Sequence, residues 1–175
     1  GHPGVFACVS HQVIQQAKSQ GFYAKMEPGI SAEDCLYADL GLDPGEFGCT
    51  HFETSQFMFY QRQIDTSAYL ILWQIGIAGD TSLSKFSTDS AYRKILIQLL
   101  NEHYPRQHQV ILYEAPTLPI HQARIDYLPL AELVTAQINQ QTTLVIPPCN
   151  KMTLNQEVYE QLSTLSKKHN FLQLV

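Results

Sequence analysis

Residues 28–41 read Pro28-Gly29-Ile30-Ser31-Ala32-Glu33-Asp34-Cys35-Leu36-Tyr37-Ala38-Asp39-Leu40-Gly41. Their local chemistry specifies a turn followed by a capped helix. Pro28 restricts φ and Gly29 tolerates φ > 0, so the pair makes a turn. Ser31 is placed to N-cap a helix, with Asp34 as its capping-box partner and Glu33 favoured by the helix dipole. Gly41 ends the helix in a left-handed conformation, and Asp43-Pro44-Gly45 turns the chain away. A turn that feeds the free N–H groups of a helix start can hold a polar or anionic ligand. The plain alternative is an ordinary connection between elements.

On the upstream side, Ala7 to Gln20 has helical spacing, with Val9, Val13 and Ala17 on one stripe and Ile14 beside it, and Gly21 closes it. Phe22 to Met26 alternates like a short strand. Downstream, His51-Phe52-Glu53 reads as a strand and Thr54 to Gln61 as a short helix. Tyr69 to Ile77 is an apolar run closing at Gly76, expected to be a strand buried on both faces, in which the Gln74 amide needs partners. Asp89 and its neighbours cap a helix through Tyr104, with Ile95, Leu96, Leu99 and Leu100 inward. Gln109 to Tyr113, Ala123 to Tyr127 and Thr143 to Ile146 read as strands, and Pro129 opens a helix over Leu130 to Ile138. Asn155 to His169 is the last helix, with Val158, Leu162 and Leu165 inward. This alternation is that of an α/β protein. A hinge at Asp65-Thr66-Ser67 divides it into residues 1–64 and 65–175.

Composition excludes several classes. Of the 175 residues 45% are hydrophobic and 15% charged, which suits a globular chain. A net charge of −5 argues against a nucleic-acid binder, which needs a basic stripe. No apolar run is long enough for a membrane span, and none resembles a signal peptide. The four cysteines form no dense framework and read as reduced thiols of a cytoplasmic protein. Cys8-x-x-His11 falls within the first helix and Cys49-x-His51 lacks the usual finger spacing, so no metal is expected. No HExxH, GxSxG or GxxxxGK[ST] motif is present.

A second stretch, Gly1-His2-Pro3-Gly4-Val5-Phe6, gives the turn at Pro28 a functional context. GHPGVF together with PGISAEDCLYADLG resembles the tetrapyrrole-methylase family of S-adenosylmethionine-dependent methyltransferases, and within it the borosin branch of peptide backbone N-methyltransferases. The likeness continues through Leu70 to Gly76 and through Thr142 to Pro148. It implies two α/β domains with the cofactor cleft between them, the first domain lacking its opening strands in this chain, which would then be a fragment. It also implies a homodimer, and a peptide or small-molecule methyl acceptor.

S-adenosylmethionine is held largely by backbone groups and an apolar slot, so its site should be marked by small residues at element ends. By the resemblance, His2, Val5 and Phe6 line the cofactor from the first loop and Ser31 and Ala32 from the central turn. Gln74, Thr142 and Thr143 contribute from the second unit, with Ala115 as a further candidate. Glu114 stands where the family often has glycine. The chemistry is an in-line methyl transfer that depends on orientation, and an amide acceptor also needs its oxyanion stabilised. The resemblance puts the tyrosines and arginine of that task ahead of GHPG, so no catalytic residue is assigned. The other readings are methylation of a tetrapyrrole or other small molecule, and a noncatalytic module that binds cofactor or peptide.

Overall fold

The computed structural model describes residues 4–82, 84–118 and 120–172, with side chains to residue 165. Its centre is a five-stranded sheet in the order β1-β2-β5-β3-β4. The strands are β1 (Cys49–Glu53), β2 (Tyr69–Trp73), β3 (Gln109–Glu114), β4 (Arg124–Pro129) and β5 (Thr143–Ile146). β1 and β2 are parallel, with Cys49 opposite Tyr69, while β2–β5, β3–β5 and β3–β4 are antiparallel. The division expected at residues 64/65 falls inside this sheet, since β1 pairs with β2 along its whole length.

Period-2 alternation sorts the sheet into two faces. Leu70, Leu72, Val110, Leu112, Leu144 and Ile146 point to one side. There they meet α4 (Thr54–Phe59) through Phe57, α5 (Ser90–Asn101) through Leu96, Ile97 and Leu100, and the 3-10 turn Leu130–Val134. Ile71, Trp73, Ile111, Tyr113 and Val145 point to the other side, where α2 (Ala32–Leu40) lays its fully buried Leu36 against them. α2 is fastened there by the Tyr113 hydroxyl, which donates to Asp39 Oδ2 at 2.8 Å. Burial and that hydrogen bond push the Tyr113 phenol well above its ordinary range.

Local signals set the helix ends. Ser31 accepts from the Glu33 and Asp34 N–H groups, Asp34 accepts from the Ser31 N–H, and Gly41 sits at φ 64°. Asp89 caps α5 through the Ala91 N–H. Asp43-Pro44-Gly45 opens a short helix, α3 (Pro44–Phe47), in place of a plain turn.

Several expectations are corrected. Phe22 to Met26 forms no strand, because no ladder partner lies beside it, and Phe22 and Tyr23 stand exposed. α1 (Cys8–Ser19) forms where its spacing predicts, yet none of its residues is buried and Val9 is 68% exposed. α6 (Gln156–Leu172) likewise leaves Val158, Leu162 and Leu165 uncovered. In α5 the inward stripe is turned by one residue, burying Ile97 and exposing Ile95. The helix expected over Leu130 to Ile138 is only the five-residue 3-10 turn. β2 stops at Trp73, where Gln74 takes a left-handed conformation and a 3-10 turn (Ile75–Ile77) follows.

Candidate functional site

A cleft of about 460 Å3 opens at the ends of β1, β2, β3 and β5, on the α2 side of the sheet. Phe6, Ala32, Trp73, Ala115 and Pro116 supply its apolar walls. Gln74, Thr117, Gln140, Gln141 and Thr143 supply neutral polar groups, while Tyr113 and Glu53 complete the lining. Strand ends with departing loops are where an open α/β sheet leaves room for a ligand.

Gln74 is, among the described residues, the one non-glycine with positive φ, at 59°. That conformation costs a side chain about 1–2 kcal/mol. It ends β2 and turns Gln74 out to an exposed position on the rim. The Gln74 amide therefore needs no buried partner, contrary to its reading as part of a buried strand.

Next to Gln74 the wall is formed by the loop 139–142, held down by two devices. Ile75 donates its N–H to the Thr142 carbonyl at 3.1 Å. Gly76 lets the loop lie directly on it: a Cβ there would stand 2.2 Å from the Asn139 carbonyl oxygen. Behind the loop, Glu114 Oε1 accepts from Thr142 Oγ1 at 2.6 Å, Arg124 Nη1 at 2.6 Å and Asn139 Nδ2 at 3.0 Å. Thr142 Oγ1 in turn accepts the Asn139 N–H at 2.9 Å. Burial alone would raise the Glu114 pKa, but hydrogen bonds from Thr142, Asn139 and Arg124 outweigh it and hold the carboxyl below its ordinary value. Glu114 thus anchors the wall.

On the other side, Phe6 packs against Trp73 at 6.2 Å and edge-on against His51 at 5.7 Å between ring centroids. Trp73 Nε1 donates to His51 Nδ1 at 3.0 Å, which fixes the indole as a wall of the cleft. Beneath His51, the Tyr37 hydroxyl donates to Glu33 Oε1 at 2.7 Å. Burial is the main cause that lifts the Cys49 thiol beside it, so this cysteine is not activated.

Of the residues singled out from the sequence, Phe6, Ala32, Gln74, Ala115 and Thr143 converge on this one cleft. Ser31 caps α2 beside Ala32, Thr142 is a buried member of the loop 139–142, and Val5 is not among the lining residues, its carbonyl being bonded to His11 Nε2 at 2.6 Å. His2 lies outside the described residues. Sequence reasoning passed over Trp73, Glu53, Tyr113, Pro116, Thr117, Gln140 and Gln141. Of these, Trp73, Pro116 and Gln141 had a signal nearby, standing next to Gln74, Ala115 and Thr142. Among the described residues no three His, Cys, Asp or Glu side chains gather as metal ligands.

No family model matches the chain. Among curated proteins, the methyltransferase/ribosomally synthesized cyclic peptide gymnopeptides precursor of Gymnopus fusipes is 36% identical over 170 residues, covering 95% of this chain and 40% of that protein. The methyltransferase/ribosomally synthesized type I borosin cyclic peptide precursor of Coprinopsis marcescibilis is 36% identical over 173 residues, covering 93% of this chain and 44% of that protein. The resemblance is to the borosin methyltransferases. The chain spans less than half the length of these borosin relatives. Among solved structures, uroporphyrin-III-C-methyltransferase from Thermus thermophilus matches with a TM-score of 0.58 at 15% identity, over 85% of this chain and 61% of that one. A structure of the same enzyme complexed with S-adenosyl homocysteine matches with a TM-score of 0.52 at 10% identity, over 82% and 59% of the two chains. The borosin-like chain therefore has the tetrapyrrole-methylase fold.

Proposed function

We propose that this chain forms the cofactor cleft of an S-adenosylmethionine-dependent methyltransferase that N-methylates backbone amides of a precursor peptide. The observation that carries the reading is the convergence of Phe6, Ala32, Gln74, Ala115 and Thr143 on one cleft. Their segments were singled out by likeness to the borosin enzymes, and they lie far apart in sequence.

The residues fit such a cofactor. Trp73, Phe6, Ala115 and Pro116 offer an apolar slot for a flat base, and Gln74, Gln140, Gln141 and Thr143 offer neutral donors and acceptors for the polar remainder. Bound there, the cofactor supplies an electrophilic methyl group. The chain's own contribution is orientation: Gln74 is held on the rim by its backbone turn, and the loop 139–142 is clamped by Glu114. A precursor peptide as acceptor is supported by the description of the relatives as combined methyltransferase and cyclic peptide precursors.

The uncovered apolar residues of α1 and α6 supply surface for a second copy in a homodimer. Four free cysteines suit a cytoplasmic protein, and among the described residues no helix is long and apolar enough to cross a membrane. The test is calorimetric titration of S-adenosylmethionine into the full-length protein, followed by mass spectrometry of its precursor peptide for methyl increments on backbone amides. Micromolar binding with methylated peptide is expected. Binding with methyl transfer only to a tetrapyrrole would reassign the acceptor, and a folded protein that binds no cofactor would remove the reading.

A further inference from the structure

Glu53 ends β1 on the wall between the main cleft and a neighbouring cavity of about 270 Å3. Among the described residues it is the one lining the main cleft that carries a formal charge. Its Oε2 accepts the Gln56 N–H at 2.9 Å and so caps α4. Its Oε1 is sealed from solvent and has no hydrogen-bond partner. None of the ion pairs among the described residues involves it.

The charged groups across the neighbouring cavity are already engaged. The buried Asp80 carboxylate accepts the Ser82 hydroxyl at 2.7 Å and the N–H groups of Ser82, Ser84 and Lys85 at 2.9, 3.0 and 2.8 Å. Lys85 Nζ donates to the Tyr92 hydroxyl at 2.8 Å. The negative charge of Glu53 is thus balanced by no ion pair, and its field falls on a cleft with otherwise neutral walls. In such partly dry surroundings a carboxylate acts on a nearby cation far more strongly than in water.

We propose that Glu53 makes the cleft discriminate by charge, favouring a cationic ligand over its neutral counterpart. Resting on the cofactor reading above, this means favouring S-adenosylmethionine over S-adenosylhomocysteine. Those two ligands share every hydrogen-bonding group and differ by the methyl group and its positive charge at sulfur. Glu53 therefore supports exchange of spent cofactor for fresh, as a positioning charge rather than a catalytic residue.

The experiment is calorimetric titration of both ligands into the full-length protein and its Glu53→Gln and Glu53→Asp variants. Gln can still cap α4 through its amide oxygen but carries no charge; Asp retains the charge. Glu53→Gln should weaken S-adenosylmethionine binding about tenfold and S-adenosylhomocysteine less than about threefold, while Glu53→Asp keeps the wild-type ratio. A purely structural role would weaken both ligands alike, and an unchanged ratio in Glu53→Gln overturns the proposal while leaving the cofactor reading intact. If the wild type binds neither ligand, both fall. Should Glu53→Gln fail to fold, the wild type decides. An analogue with a protonated amine in place of the sulfonium must bind more tightly than the neutral thioether, and equal affinity refutes the charge preference.

Discussion

Replacing Glu114 by alanine removes the acceptor that joins Thr142, Arg124 and Asn139, and the cost can be worked from those contacts. Thr142 is fully buried, so its hydroxyl proton is left without an acceptor, a loss of about 1–3 kcal/mol. The Arg124 pair is less sheltered, with the two side chains 29% and 16% exposed, and contributes about 1 kcal/mol. The sum is about 3 kcal/mol, which for a domain of this size lowers the thermal midpoint by about 6–12 °C. Glu114→Gln keeps one acceptor oxygen but no charge, and should lose about half as much. Thermal unfolding followed by circular dichroism reads both variants. The pH dependence has a definite sign. The folded carboxyl lies below its ordinary value of 4.5. Its stabilisation is therefore complete above that value and disappears as pH falls through the lower folded one. The gap between wild type and Glu114→Gln should be constant near neutrality and close in acid. A midpoint unchanged in Glu114→Ala, or a gap that widens in acid, refutes the anchoring role.

Two other substitutions probe the same wall and rim. Gly76→Ala puts a methyl group 2.2 Å from the Asn139 carbonyl, where backbone must move, and should cost about 2–3 kcal/mol in denaturant unfolding. A loss under about 0.5 kcal/mol would mean the loop does not rest on Gly76. Gln74→Ala keeps the same strained backbone and removes an exposed amide, so stability should shift by less than about 0.5 kcal/mol while S-adenosylmethionine affinity falls. Wild-type affinity in that variant would take Gln74 out of the site.

Much of the fold was legible because its signals are local. Ser31, Asp34 and Gly41 act within a few residues of one another, and the structure realises the capping box and the left-handed end of α2. The apolar runs at Leu70, Val110 and Leu144 became the central strands, since each is long enough to be buried on both faces. Of the candidate site residues, those at element ends were found by motif and meet in one cleft. Helix faces were less legible. Periodicity shows that α1 and α6 have an apolar stripe but not whether anything covers it, and in this structure those stripes are exposed.

The sequence by itself determined the helix caps and the strand cores, because each follows from chemistry within about one turn or one strand, whereas the segments expected at the cofactor were picked out only by the family resemblance. Only the tertiary structure decided the roles of Gln74, Glu114 and Glu53. Gln74 leaves β2 because Ile75 must reach the Thr142 carbonyl and Gly76 must pass under Asn139. Glu114 is an anchor because its partners come from β4 and from a loop 25 to 28 residues away. Glu53 stands uncompensated because the sheet placed no donor beside Oε1. Long-range pairing fixes these partners, and no local pattern encodes which groups will meet, or which will be left without one.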